Sequence, residues 1–270
     1  MFNLMLLFVS LSFAEPVKVA VIDTGFDENS TWSDASVFGL KKPKLCKDGH
    51  ESFAKTPTPY GIQDFNGHGT HVAGLIAKHA EDADYCLVIL KYFDDRFVSF
   101  VNDKNQMVVN NFIENSNAAL RKAIDSGVSV INYSGGGYLK NVKECEMVKE
   151  ALDKGIVFVA AAGNDGKKLS NNKFYPAMCD SRVVVVVNTD ENGKLVKSSN
   201  YVEKNQNIFT ASENGYRVLS LLPNNKVGLL TGTSQSAAVR SGKIVKSIHD
   251  KRKQDERHVK KVSERKSKNP

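Results

Sequence analysis

The chain has 270 residues, enough for one large domain with a buried core. Its 41% hydrophobic and 25% charged residues are ordinary for a globular protein and exclude low-complexity and collagen-like classes. The net charge of +7 is uneven, because residues 250–270 contain nine Lys or Arg against four Asp or Glu. With no nucleic-acid motif beside it, we expect residues 251–270 to be a solvated, disordered basic tail and expect no nucleic-acid partner.

Residues 2–14 are uncharged and mostly apolar, but the run is too short to span a bilayer. We interpret residues 1–14 as a secretory signal ending at Ser12-Phe13-Ala14, which predicts a secreted or periplasmic protein without stable membrane insertion. The alternative is a retained, buried N-terminal segment. Four cysteines in an exported chain favour two disulfides, whereas four free thiols are expected if the chain is not exported.

Apolar β-branched runs alternate with helical patterns along the body of the chain, which predicts an α/β fold with a mostly parallel sheet and helices on both faces. The expected strands are Val17–Ile22, Tyr85–Tyr92, Val128–Tyr133, Ile156–Ala162 and Val183–Val187, with a possible last one at Val218–Leu222. The expected helices are Gly69–Ala80, one marked by Phe112 to Ile124, one marked by Val142 to Leu152, and one behind Ser234. Residues 93–111 are polar and irregular.

Polar residues follow three of the predicted strands: Asp23, Ser134 and Asn164. Open parallel sheets place their binding sites at the carboxyl ends of strands. We therefore expect these three residues to surround one site.

Three glycine-containing motifs carry chemistry in chain order: Asp23 in Val19-Ala20-Val21-Ile22-Asp23-Thr24-Gly25, His68 in Asn66-Gly67-His68-Gly69-Thr70-His71, and Ser234 in Thr231-Gly232-Thr233-Ser234-Gln235-Ser236. Taken singly, they read as a turn aspartate, a core histidine and a helix N-cap. Taken together, they resemble the subtilisin-like serine proteases, the subtilase family. The resemblance covers roughly residues 17–248 and implies the three-layer subtilisin-like fold, with 15–250 as the catalytic domain.

The resemblance implies a serine endopeptidase that acts through an acyl-enzyme. Ser234 would be the nucleophile, His68 the base, and Asp23 the carboxylate that orients the base. Asn164 would donate to the oxyanion together with the Ser234 backbone N–H. His71, one turn after His68, is expected to be structural.

The substrate implied is a peptide or protein, bound as an extra extended strand along Ser134, Gly135 and Gly136. Gly163 is also expected to contact the substrate. Phe174 would either narrow the first specificity pocket or be an ordinary core residue. We expect no metal and no cofactor, because the loop Lys78–Asp84 is short where many relatives bind calcium. We expect a monomer.

Four cysteines allow three pairings. The family's fold implies Cys46–Cys86 and Cys145–Cys179, since Cys46 lies in a segment that runs beside the strand opened by Cys86. Two other functions remain open: a non-catalytic peptide-binding module that kept the fold, and acyl transfer or peptide ligation at the same site.

Overall fold

The computed structural model describes residues 15–55, 61–102, 104–109, 111–203 and 208–268, so the expected signal at 1–14 lies outside the described residues. The four helices are α1 (His68–Ala80), α2 (Phe112–Asp125), α3 (Val142–Asp153) and α4 (Thr233–Lys268). The strands are β1 (Val17–Asp23), β2 (Glu51–Ser52), β3 (Tyr85–Lys91), β4 (Ser99–Val101), β5 (Met107–Val109), β6 (Val130–Tyr133), β7 (Val157–Ala161), β8 (Val184–Thr189), β9 (Thr210–Asn214), β10 (Val218–Leu222) and β11 (Lys226–Leu230).

Seven strands form one sheet in the order β2-β3-β1-β6-β7-β8-β9, and every pairing in it is parallel. The predicted parallel α/β architecture is therefore confirmed. The sequence analysis missed the edge strands β2 and β9, and it missed β11, which forms an antiparallel hairpin with β10. A second small hairpin, β4–β5, occupies the stretch expected to be irregular.

The helices cover both faces of the sheet. On one face α1 and α4 pack together and bury residues such as Val72, Ile76 and Val245. On the other face α2 and α3 bury residues such as Leu120 and Val148. The central strands are therefore buried by helices on both of their faces. This is why their sequences are continuous apolar runs.

The strand order reverses at β1. The chain passes from β1 through α1 to β3 on one side, and then through α2 to β6 on the other side. Such a reversal opens a crevice at the carboxyl end of the strand, where ligands bind in open α/β sheets. Asp23 is the last residue of β1 and lies at this point.

The expected disorder of residues 251–270 is wrong for residues 251–268, which continue α4 to Lys268. The prediction relied on missing apolar periodicity, but a run of Lys, Arg, Glu and Gln has high intrinsic helix propensity. An i,i+4 ion pair between Lys246 and Asp250 (2.9 Å) adds support. Arg252 also anchors the helix, since its guanidinium donates to the carbonyl of Glu15 at 2.9 Å. No helix of the described ranges combines the length and apolarity needed to cross a membrane.

Both expected disulfides are present. Cys46–Cys86 joins the loop before β2 to β3, and Cys145–Cys179 joins α3 to the segment before β8. The backbone N–H of Cys46 also donates to the carbonyl of Leu87, which shows that its segment runs beside β3.

Candidate active site

The carboxylate of Asp23 and the imidazole of His68 form a hydrogen-bonded pair at the end of β1. Nδ1 of His68 lies 2.8 Å from Oδ1 of Asp23, and the backbone N–H of Thr24 donates to the same oxygen at 2.7 Å. Because a carboxylate only accepts hydrogen bonds, Nδ1 carries a proton and Nε2 of the neutral ring is left as an acceptor. Burial lowers the pKa of His68, but the charge and the hydrogen bond of Asp23 raise it by more than burial lowers it. The pKa of His68 is therefore raised overall.

A second carboxylate, Asp64, which the sequence analysis missed, joins the end of β1 to the start of α1. Asp64 is fully buried and accepts hydrogen bonds from the hydroxyl of Thr24 at 3.0 Å and from the backbone N–H groups of Gly67 at 2.9 Å and Thr70 at 2.8 Å. Thr24 Oγ1 in turn accepts from the N–H of Gly69 at 2.8 Å. These bonds fix the first turn of α1, and with it the imidazole, against the strand end.

The glycines of the first two motifs allow this close contact. A Cβ at Gly69 would collide with the carbonyl oxygen of Gly25. Gly25 itself has φ +116°, a conformation that L side chains rarely adopt, and a Cβ there would collide with the carbonyl of Ile62. The helix start therefore rests directly on the turn that follows β1.

We expect Asp64→Ala to lower kcat about 100-fold with KM changed less than threefold, because a displacement near 1 Å of a catalytic group has a cost of this size. Steady-state kinetics on the folded protein measure it, with exposed Asp34→Ala as the matched control. Asp64→Asn should restore part of kcat, because its amide oxygen still accepts. A loss carried entirely by KM would refute this positioning role.

Ser134 directly follows β6 and lies beside Asp23, because the residues just before them, Tyr133 and Ile22, are register partners in β6 and β1. Its Oγ accepts from Nδ2 of Asn132 at 2.9 Å. Ser134 is therefore held at the strand end by a side chain of its own strand, and it forms part of the crevice.

Ser234, in the first turn of α4, is tied to Ser134 by two reciprocal hydrogen bonds. The hydroxyl of Ser234 donates to the carbonyl of Ser134 at 3.0 Å, and the hydroxyl of Ser134 donates to the carbonyl of Ser234 at 3.1 Å. Among the described residues, no hydrogen bond joins Ser234 to His68. The hydroxyl of Ser234 is thus directed at a backbone carbonyl rather than at the imidazole.

Asn164 follows β7 and caps the start of α4. Its Oδ1 accepts from the backbone N–H of Thr233 at 2.8 Å and from the Thr233 hydroxyl at 3.1 Å. The N–H of Gly163 donates to that hydroxyl at 3.1 Å. Since Oδ1 is occupied by the helix, the NH₂ group is the part of this exposed side chain that remains to donate. Ser234 follows Thr233 in the first turn of α4. Its backbone N–H therefore has no intrahelical acceptor, as is usual at a helix start.

The ring of Phe174 lies between the two backbone edges of the crevice. A Cβ at Gly136 would lie 2.5 Å from its Cε1, and a Cβ at Gly163 would lie 3.0 Å from its Cδ2. Tyr138 meets Phe174 edge-on with ring centroids 5.3 Å apart, and its hydroxyl donates to Asp165 at 2.6 Å. Phe174 also belongs to the hydrophobic cluster on the α2 and α3 face. Phe174 is therefore a core residue, and its ring also fills the gap between Gly136 and Gly163.

His71 is fully buried in α1, and its Nε2 lies 3.1 Å from the carbonyl oxygen of Gly228 in β11. Burial lowers the pKa of His71 to about 4, although the bond to Gly228 opposes this. This buried position, with the imidazole bonded to the β11 backbone, agrees with the structural role expected for His71.

We expect the burial of His71 to make stability depend on pH. Below its ordinary pKa of about 6.5 the unfolded chain binds a proton at His71, but the folded chain binds one only near pH 4. The contribution of His71 to the free energy of unfolding should therefore fall by roughly 3 kcal/mol as the pH falls from 6.5 to 4.

Urea denaturation of a Ser234→Ala background, which avoids self-cleavage, measures this slope. His71→Gln should flatten it, whereas His258→Gln in the exposed end of α4 should leave it unchanged. Equal slopes for the parent and His71→Gln would contradict the assignment.

Two carboxylates of the short loop after α1 form ion pairs with lysines: Asp82 lies 3.2 Å from Nζ of Lys246, and Asp84 lies 3.9 Å from Nζ of Lys44. Within the part of the chain that the structure describes, no three His, Cys, Asp or Glu side chains are grouped so that they could hold a metal ion.

An Asp–His pair at the end of one strand of a parallel sheet, with a serine at the start of a nearby helix, is a combination that serine hydrolases use. The model of the subtilase family matches residues 14–269. The major intracellular serine protease of Bacillus subtilis is 32% identical over 237 residues, which cover 84% of this chain and 67% of that protein. Subtilisin-like protease 2 of Plasmodium falciparum is 29% identical over 82% of this chain, which spans only 16% of that protein.

Solved structures show the same fold. A lanthipeptide protease aligns with a TM-score of 0.66 and 22% identity, covering 88% of this chain and 74% of that one. A cold-adapted subtilisin-like serine proteinase aligns with a TM-score of 0.62 and 21% identity over 84% and 73% of the two chains. The chain belongs to the subtilase family and is a serine-type endopeptidase.

Proposed function

We propose that the protein is an exported endopeptidase in which Asp23, His68 and Ser234 hydrolyse peptide bonds through an acyl-enzyme. The observation that carries the proposal is the 2.8 Å hydrogen bond between buried Asp23 and His68 at the mouth of the crevice. A protein that only binds peptides gains nothing from a base held in one tautomer by a carboxylate.

In the proposed reaction, the Ser234 oxygen bonds to the substrate carbonyl carbon while its proton passes to Nε2 of His68. Asp23 stabilises the imidazolium, in agreement with the raised pKa of His68. The oxyanion accepts hydrogen bonds from the Asn164 NH₂ group and the Ser234 N–H. The imidazolium then protonates the leaving amine, and a water molecule repeats the sequence to release the acid and restore the serine.

Substrate binding would also reorient the nucleophile. An extended peptide along Ser134–Gly136 presents backbone N–H groups, and the Ser134 carbonyl is an acceptor at this edge. In the free protein that carbonyl is occupied by the Ser234 hydroxyl. Competition from a peptide N–H would release the hydroxyl, which a rotation about χ1 could direct to His68. Catalytic hydrogen bonds that tighten only in the substrate complex are common.

Two disulfides support export, since such bonds persist in oxidising compartments. The Bacillus subtilis relative is named as an intracellular protease, so family membership does not decide the location. Alkylation of the protein as isolated from its own cells, without reductant, tests this. Four blocked cysteines support export, and four labelled thiols would refute it.

Labelling with a fluorophosphonate probe tests the proposed chemistry, because only an activated serine reacts. The products of an unfolded protein substrate are then weighed with and without an added amine. Hydrolysed peptides support the endopeptidase, amine adducts indicate acyl transfer, and binding without labelling or cleavage indicates a peptide-binding module.

We expect cleavage to favour small residues at the position whose carbonyl is attacked, because Phe174 fills the gap between Gly136 and Gly163. Phe174→Ala should raise the ratio of kcat/KM for a phenylalanine peptide over an alanine peptide by at least about tenfold. Phe174→Leu should give an intermediate ratio. An unchanged ratio in a well-folded Phe174→Ala protein would mean that the side chain of this substrate residue lies elsewhere.

A further inference from the structure

A cavity of about 340 Å³ adjoins the Ser134–Gly136 edge, a volume in the range of ligand sites. Gly136 and Gly137 form its side next to this edge. Gly135 packs so closely on the hydroxyl of Tyr92, another lining residue, that a Cβ there would collide with it. The walls are mainly aromatic, formed by Tyr92, Phe93, Phe112, Tyr133, Tyr138 and Tyr175.

One carboxylate, Glu144, lines this aromatic cavity. Glu144 is 7% exposed and lies in the first turn of α3, which Asn141 caps through the Glu144 N–H at 3.2 Å. Its Oε1 accepts from the hydroxyls of Tyr133 at 3.2 Å and Ser116 at 3.4 Å. Its Oε2 has no hydrogen-bond partner among the described residues. The triad mechanism gives this buried acid no task.

No positive charge balances Glu144 within the cavity. Of the described side chains that line it, Glu144 is the only charged one. Burial raises the pKa of Glu144, although its two hydroxyl partners oppose the change. Burial also raises the pKa of Tyr133, and the nearby Glu144 adds to that increase. A carboxylate that faces the cavity without a charged partner is stabilised less than in water, and a cationic guest would supply that partner.

We propose that this cavity binds an arginine or lysine side chain of the peptide substrate, with its cation on Glu144 and its stem against the aromatic rings. Faces of tyrosine and phenylalanine attract cations, and the long stem of a basic residue suits apolar walls. Alternate side chains of an extended peptide repeat every 6–7 Å along one face. The basic residue is therefore expected at least two positions from the scissile bond. This inference rests on the proposed function.

The test compares quenched fluorescent peptides that carry arginine or its neutral isostere citrulline at each position around one cleavable bond. At one of these peptide positions, the wild-type kcat/KM should be at least about tenfold higher for arginine than for citrulline. A factor of this size corresponds to one hydrogen bond to a charged group. In Glu144→Gln, which keeps the shape and an acceptor for Tyr133, the ratio should fall to about one. Glu146→Gln, on the exposed side of the same helix, is the matched control and should keep the wild-type ratio.

Equal cleavage of arginine and citrulline peptides at every position would overturn the proposal while leaving the endopeptidase assignment intact. A preference for arginine that survives Glu144→Gln would overturn it as well. If no peptide is cleaved, the proposed function fails, and binding of both peptides to the Ser234→Ala protein by fluorescence anisotropy still tests the cavity. There, too, tighter binding of the arginine peptide must disappear with Glu144→Gln.

Discussion

Replacing Ser234 by alanine should lower kcat by roughly 10⁴-fold or more while leaving folding and peptide binding intact. Only the hydroxyl is lost, and with it the covalent step. The change removes one donor to the Ser134 carbonyl, but the reciprocal bond from the Ser134 hydroxyl to the Ser234 carbonyl remains. Turnover of an unfolded protein and peptide affinity, measured on the same preparation, separate the two effects.

His68→Ala should be about as damaging as Ser234→Ala, since the two groups act as a unit and their losses do not add. Ser236→Ala is the matched control, because Ser236 lies in the same helix turn and its hydroxyl is engaged with the carbonyl of Glu213 at 3.0 Å. Turnover of Ser234→Ala within tenfold of wild type would refute the triad assignment.

Removing the disulfides should destabilise the protein strongly. The bridges Cys46–Cys86 and Cys145–Cys179 span 40 and 34 residues. Closing loops of this length lowers the entropy of the unfolded chain enough to contribute about 4 kcal/mol each in the chain-entropy model. Together they represent a large part of a typical net stability of about 5–15 kcal/mol.

Urea denaturation of paired cysteine-to-alanine variants, in the Ser234→Ala background, measures each contribution. Each pair of cysteine-to-alanine substitutions should lower the free energy of unfolding by about 4 kcal/mol. Adding reductant to such a variant should then remove only the stabilisation from the disulfide that remains. Losses below about 1 kcal/mol for both pairs would contradict the expectation.

Most of the sheet was predictable because its central strands are buried on both faces and read as unbroken apolar runs. The five valines at 183–187 are an example, and the last four of them lie in β8. The edge strands were not predictable, since Glu51–Ser52 is two polar residues and Thr210–Asn214 is polar with one buried alanine. Such strands exist only because a neighbouring strand offers its hydrogen bonds.

The site shows a similar division. Each proposed catalytic residue lies in a local motif, so Asp23, His68 and Ser234 could be proposed from the sequence alone. Asp64 accepts a hydrogen bond from Thr24, 40 residues away in the sequence. Locally it is only a polar residue ahead of a helix, so the sequence did not mark it as part of the site. The orientation of the Ser234 hydroxyl was also beyond sequence reasoning, because it depends on a rotamer and on a carbonyl 100 residues away.

Helix α4, which begins beside the active site, carries its own far end well away from that site. From Ser234 to Lys268, α4 is continuous, and at 1.5 Å per residue its end lies about 50 Å from the serine. The helix starts at the crevice and runs away from it along the covered face of the sheet. A label, a surface or a fused domain joined at this end would therefore be held well clear of the cleft, and tethering the protein there would leave the crevice open to large substrates.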